Sequence, residues 1–67
     1  MNYNELNAEI VRNGLTIPQL ATEIGINKKT LYQKMRGKTE FKRSELIVLK
    51  SKLNLTDERA NQIFFNI

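Results

Sequence analysis

Sixty-seven residues leave room for one domain with one modest core, close to the lower limit at which apolar burial outweighs chain entropy without a staple. Cysteine and histidine are both absent, which excludes disulfides, Cys/His zinc sites and catalysis by a Ser-His or Cys-His system. A net charge of +4 and a pI of about 9.7 suit a polyanionic partner.

In chain order, the segmentation signals are helical. Tyr3, Leu6, Ile10 and Val11 recur at helical spacing and predict a first helix with Glu5, Glu9 and Arg12 turned outward. Asn13-Gly14 ends it, because glycine readily takes the left-handed conformation of a helix terminus. Thr16, with Pro18 in the first turn and Gln19 three residues on, reads as a capping box. The second helix that follows has Leu20, Ala21 and Ile24 on one face and stops at Gly25.

Asn27 is a suitable N-cap for a third helix reaching about Arg36, with Leu31 and Met35 inward and Gly37 beyond its end. Residues 38–41 read as a loop anchored in the core by Phe41. A fourth helix, roughly 42–53, carries Leu46, Leu49 and Leu53 on one stripe. After a tight connection at Asn54-Leu55, Thr56-Asp57-Glu58 opens a fifth helix with Ala60, Ile63 and Phe64 on its inner face. No stretch alternates as a strand does, and there are no repeats. The expected fold is all-α, five short helices in a single domain over 1–67.

The charge is unevenly spread. Nine of the eleven basic residues lie between Lys28 and Lys52, opposed there only by Glu40 and Glu45, so this stretch carries +7 and the rest −3. One basic side is the electrostatic footprint of a DNA-facing domain. The segment 16–37 is the informative one. Ala21 is small where two helices would cross, Gly25 permits a change of helix axis without a Cβ clash, and Leu20, Ile24, Ile26 and Leu31 lock the crossing.

These residues, Thr16-Ile17-Pro18-Gln19-Leu20-Ala21, Gly25-Ile26-Asn27-Lys28-Lys29-Thr30-Leu31 and Met35-Arg36-Gly37-Lys38, resemble the phage Cro/repressor (lambda repressor-like) helix-turn-helix family. Met1-Asn2-Tyr3, Phe41 with Glu45-Leu46, and Ile63-Phe64-Phe65 are similar to a subgroup of short Cro-like phage proteins. The resemblance spans nearly the whole chain. It implies a five-helix lambda-repressor-like fold, operator binding and a place in a lysis-lysogeny switch in the cytoplasm of a bacterial host. Three positions depart from the family pattern: Ile17 where glutamine is common, Arg36 where asparagine often precedes the glycine, and Lys34 where an apolar residue is frequent. The first removes a common phosphate contact, and the last is expected to lay its stem on the core with its ammonium reaching toward DNA.

Carried onto this sequence, the family pattern sets the third helix in the major groove and gives base contacts to Lys28, Lys29, Tyr32 and Gln33. Their spacing puts all four on one helical face. Lysine can donate to guanine O6/N7, glutamine can pair with adenine N6/N7, and Tyr32 can pack on a thymine methyl or donate to a phosphate. Phosphate contacts fall to Gln19, beside a helix N-terminus, and to Arg36, Lys38, Lys42 and Arg43. Lys50 and Lys52 read as solvated surface.

Once a core is assigned, Ile47, Val48, Phe65 and Ile67 are left over, and a surplus apolar patch of this kind marks an interface. We expect a two-fold homodimer through the fourth and fifth helices, matched to a palindromic operator with half-sites about one helical turn apart. In the competing reading Ile47 or Val48 completes the core and the last residues fray. An enzyme is not expected: Glu5, Glu9, Glu23, Glu40, Glu45, Asp57 and Glu58 all read as capping or surface charges, with no partner base. No cofactor, metal or membrane span is expected, and nothing at the amino terminus resembles a signal peptide. Two rival functions stay open: a modulator that acts by binding another phage repressor, and an antitoxin-type autoregulator using the same DNA chemistry. With no segment beyond the fifth helix to hold an effector, regulation is expected through concentration, competition for operators or a partner protein.

Overall fold

Polar caps punctuate this chain into helices. The computed structural model describes residues 1–66, which form α1 (Tyr3–Arg12), α2 (Ile17–Ile24), α3 (Lys28–Met35), α4 (Arg43–Lys52) and α5 (Asp57–Phe65). Asn2, Thr16, Asn27 and Thr56 each accept a hydrogen bond from the amide three residues on, at 3.2, 3.3, 2.7 and 3.1 Å. Such a cap stabilises its helix by about 1 kcal/mol. At Thr16 the capping box is reciprocal, since Gln19 Oε1 accepts the Thr16 N–H at 2.9 Å. The start of α4 has no short polar side chain; there Glu45 Oε1 accepts the Lys42 N–H at 2.7 Å.

The helices enclose one core. Leu6, Ile10, Leu20, Leu31, Met35, Leu49, Leu53 and Ile63 are fully buried, so every helix contributes. The central α2 packs against both α3 and α4, while α1 lies along α5. Phe41 is half-buried against the core and anchors the loop before α4. Among the described residues no helix is long and apolar enough to cross a membrane.

Four expectations change. Glu9 does not face outward: it is buried and its Oε2 accepts from Arg12 at 2.7 Å and from Arg59 at 2.9 Å, joining α1 to α5. Arg59 also bonds Glu5. Val11, expected inward, is 68% exposed, because its phase lies about 100° or more round the helix from the buried stripe of Leu6, Glu9 and Ile10. Glu45 is no surface charge but buried, and the ammonium of Lys34 turns inward to meet it at 2.6 Å instead of reaching for solvent. The Phe41 ring lies 6.0 Å from that ammonium, within the range of a cation–π attraction. Two residues outside the expected core belong to it, Ile17 at the start of α2 and Leu55 between α4 and α5.

Both buried carboxyls are held below the ordinary carboxylate range. For Glu9 the hydrogen bond from Arg59 is the main cause, opposed by burial and reinforced by Arg12. For Glu45 burial pushes upward most strongly, but the Lys34 ammonium, the Lys42 N–H and the charges of both lysines together outweigh it. A carboxyl with a depressed folded-state pKa adds stability above its unfolded value, about 4.3, and loses it as pH falls through the folded value. The melting temperature should therefore hold above about pH 5 and fall progressively below about pH 4, and Glu9→Gln should lower it at neutral pH while flattening that acid fall. Breaking the Lys34–Glu45 pair from one side strands a buried charge. Lys34→Met and Glu45→Leu should each lose about 3 kcal/mol in urea unfolding, and the double variant should regain most of it.

Candidate functional site

The connection between α2 and α3 is three residues long and its shape depends on one of them. Gly25 has φ +90°, and its N–H and that of Ile26 return to the Ala21 carbonyl at 2.9 and 3.0 Å, closing α2. A Cβ added at Gly25 would meet nothing within 4 Å. The glycine is needed for its left-handed backbone, and not, as the sequence suggested, to avoid a clash between helices. Asn27 then caps α3, so that α3 leaves the turn with its direction set at both ends of the connection.

Leu31, Lys34 and Met35 form the inner side of α3. The other side lines a shallow concavity with Lys28, Lys29, Tyr32 and Gln33, extended by Arg36 and Lys38 beyond the helix end. These six were assigned separately to base and phosphate contacts, and they share one surface. Lys38 is fixed there through its backbone, its N–H donating to the Gln33 carbonyl at 2.9 Å. Gln19, Lys42 and Arg43 lie outside this concavity. Gln19 is exposed on α2 with its side-chain oxygen committed to the capping box, which leaves its NH2 as the free donor. Arg43 lines a different groove, between α4 and α5, together with Ile47 and Phe65.

The charge on this surface follows from which cations find carboxylates elsewhere. Arg12 and Arg59 pair with Glu9 and Glu5, Lys34 with Glu45, Lys50 with Asp57, and Lys52 with Glu23. Five cations and five carboxylates are thereby matched. Lys28, Lys29, Arg36, Lys38, Lys42 and Arg43 have no ion-pair partner among the described residues. Set against Glu40 and Glu58, they account for the whole net charge of +4. Lys50 and Lys52, expected to be merely solvated, are surface ion pairs of the kind that contribute little. One contact could not be read from sequence: the Arg36 guanidinium lies 5.4 Å from the ring of Tyr3 on α1. Tyr3 had been read only as a core-facing position, and it does pack half-buried against the core.

The surplus apolar residues divide. Ile47 is 59% and Phe65 58% exposed, and both line the α4–α5 groove with Leu46 and Phe64. Val48 is half-buried and outside that lining, and Ile67 lies outside the described residues.

The fold and this surface define a small all-α, five-helix domain in which α3, joined to α2 through a left-handed glycine, presents an unneutralised basic face. Comparison of the chain with protein-family models, with curated proteins and with solved structures gave no match.

Because a left-handed backbone costs a residue with a Cβ about 1–2 kcal/mol, Gly25→Ala should lose that much in urea unfolding despite the open space around it. Gly25→Asn should recover part of the loss, since asparagine tolerates this conformation better.

Proposed function

We propose that this chain binds double-stranded DNA sequence-specifically, as a Cro-like transcriptional repressor of the helix-turn-helix type, with α3 in the major groove. The observation that carries the reading is the set of six cations without carboxylate partners, four of which surround α3 in one concavity with Tyr32 and Gln33. A surface left unneutralised while five other cations are matched suits a polyanion, whose condensed counterions are released on binding. An α-helix about 10–12 Å across fits the major groove, about 12 Å wide. Tyr32 and Gln33 add the neutral donors and acceptors that distinguish base edges, which lysines alone do poorly.

In this reading Lys28, Lys29, Tyr32 and Gln33 face the bases. Arg36, Lys38, Lys42 and Arg43 hold phosphates, with the Gln19 NH2 as a further donor. Eight residues of α3 span about 12 Å, so one copy reads only a few base pairs. A second copy is needed to specify a site, and the exposed Ile47 and Phe65 on the α4–α5 groove suit a two-fold contact placing two α3 helices about one turn of DNA apart. The same exposed groove favours a second reading, in which the chain acts by binding another regulatory protein, such as a phage repressor.

The test is selection of duplexes from a random pool by the purified protein at two salt concentrations. A palindromic consensus with half-sites about one turn apart is expected. Gln33→Ala should change the preferred base at one position of each half-site, costing about 1–3 kcal/mol, while Lys38→Ala should weaken all duplexes alike and lower the salt slope by about one. Salt-sensitive binding without a consensus would overturn sequence-specific readout and leave the protein-partner reading standing. Uniform weakening by both variants would overturn the division between base and phosphate contacts.

A further inference from the structure

Arg36 is the C-cap residue of α3, exposed, and without an ion-pair partner among the described residues. An arginine in that position is ordinarily a mobile chain sampling many rotamers. Here its guanidinium carbon lies 5.4 Å from the centroid of the Tyr3 ring, within the range of a cation–π contact. Tyr3 is the first residue of α1 and half-buried against the core, so the ring is an anchored surface for the guanidinium. Arg36 also lines the concavity shared by Lys28, Lys29, Tyr32, Gln33 and Lys38. One side chain therefore belongs both to the basic face and to a helix that otherwise takes no part in it.

The geometry points to Tyr3 as a positioning residue for Arg36: its ring holds the guanidinium in place to engage a phosphate of a duplex lying on the α3 face. The inference rests on the DNA-binding reading and extends it to α1. A guanidinium held over an aromatic ring keeps its N–H edge free, and that edge is the part that forms the bidentate bond to a phosphate. Holding the chain in place before binding removes part of the ordering cost that a free arginine bears on contact. The ring does this work and the hydroxyl does not, so phenylalanine should substitute for tyrosine and an aliphatic residue should not. Lys38, which lies against no aromatic ring among the described residues, serves as the uncoupled comparison.

The experiment is a double-mutant cycle on the full chain with Tyr3→Leu, Arg36→Ala and the pair combined, with Tyr3→Phe as the conservative variant. Affinity is measured for a mixed-sequence 24-base-pair duplex at low and moderate salt, well below each variant's melting temperature. Arg36 side-chain proton shifts are recorded in the free proteins. Tyr3→Leu should weaken binding about two- to fivefold, the range of an exposed cation–π contact, and Tyr3→Phe should bind as the unaltered chain does. In the Arg36→Ala background, Tyr3→Leu should have no further effect, whereas with Lys38→Ala its effect should be undiminished. Ring-current shifts on Arg36 should vanish in Tyr3→Leu and persist in Tyr3→Phe. Equal weakening by Tyr3→Leu with and without Arg36, or loss in Tyr3→Phe matching that in Tyr3→Leu, would overturn the assignment while leaving DNA binding intact. Failure of the unaltered chain to bind any duplex would overturn the DNA reading and this role with it, and the free-protein shifts would then report a purely structural contact.

Discussion

One carboxylate oxygen links α3 to the start of α4. Glu45 Oε1 accepts from the Lys34 ammonium at 2.6 Å and from the Lys42 N–H at 2.7 Å. The first bond ties the inner side of α3 to α4; the second closes the N-terminus of α4, where no polar side chain caps the helix. The loop between them is consequently clamped at both ends, with Phe41 packed over the ammonium. Burying these two charges is unfavourable in itself, and the pair is tolerable because both groups find partners at hydrogen-bond distance. With Leu31, Lys34 and Met35 all turned inward, Lys28, Lys29, Tyr32 and Gln33 are left on the outer side of α3.

The same logic of matched charge shapes the whole surface. Glu9 gathers Arg12 and Arg59 and thereby joins α1 to α5, where the Asn2 N–H also donates to the Ile63 carbonyl at 2.8 Å. Lys50 and Lys52 are drawn to Asp57 and Glu23. Matching leaves four of the six remaining cations, Lys28, Lys29, Arg36 and Lys38, in the α3 concavity, with Lys42 and Arg43 at the start of α4 outside it. A total of +4 says little about a partner, but four unmatched cations gathered in one concavity make a directional field. At physiological ionic strength this field reaches about 8 Å, so it acts on a ligand that comes close to the α3 face.

Much of the architecture was legible in the chain because its signals are local. Thr16, Asn27 and Thr56 cap the three helices they precede, and Gly25 sits at the left-handed end of α2. Such signals operate over three or four residues and need no knowledge of the fold. The inner residues Leu6, Leu20, Leu31, Leu49 and Ile63 were legible for a similar reason, since helical periodicity survives whatever the helices pack against. Glu9, Lys34 and Glu45 were misread together. A charged residue on a helix is normally at the surface, and its burial depends on a partner elsewhere in the chain, which periodicity does not reveal. Val11 was misread because its phase is too far round: at about 3.6 residues per turn it lies about 100° from Ile10 and about 140° from Leu6, off the buried stripe.

The candidate site divides along the same line. The sequence by itself determined that α3 would carry Lys28, Lys29, Tyr32 and Gln33 on one face, because residues one, three and four apart on a helix are neighbours. It also determined where α2 begins and ends and where α3 begins, through Thr16, Gly25 and Asn27. Only the tertiary structure decided which cations remain unmatched, since ion pairs such as Lys52 with Glu23 join residues on different helices. Only the tertiary structure brought Tyr3 beneath Arg36 and separated Arg43 from the α3 concavity. Helical periodicity is written in neighbouring residues, whereas charge matching and stacking depend on distances that exist only after the five helices have packed.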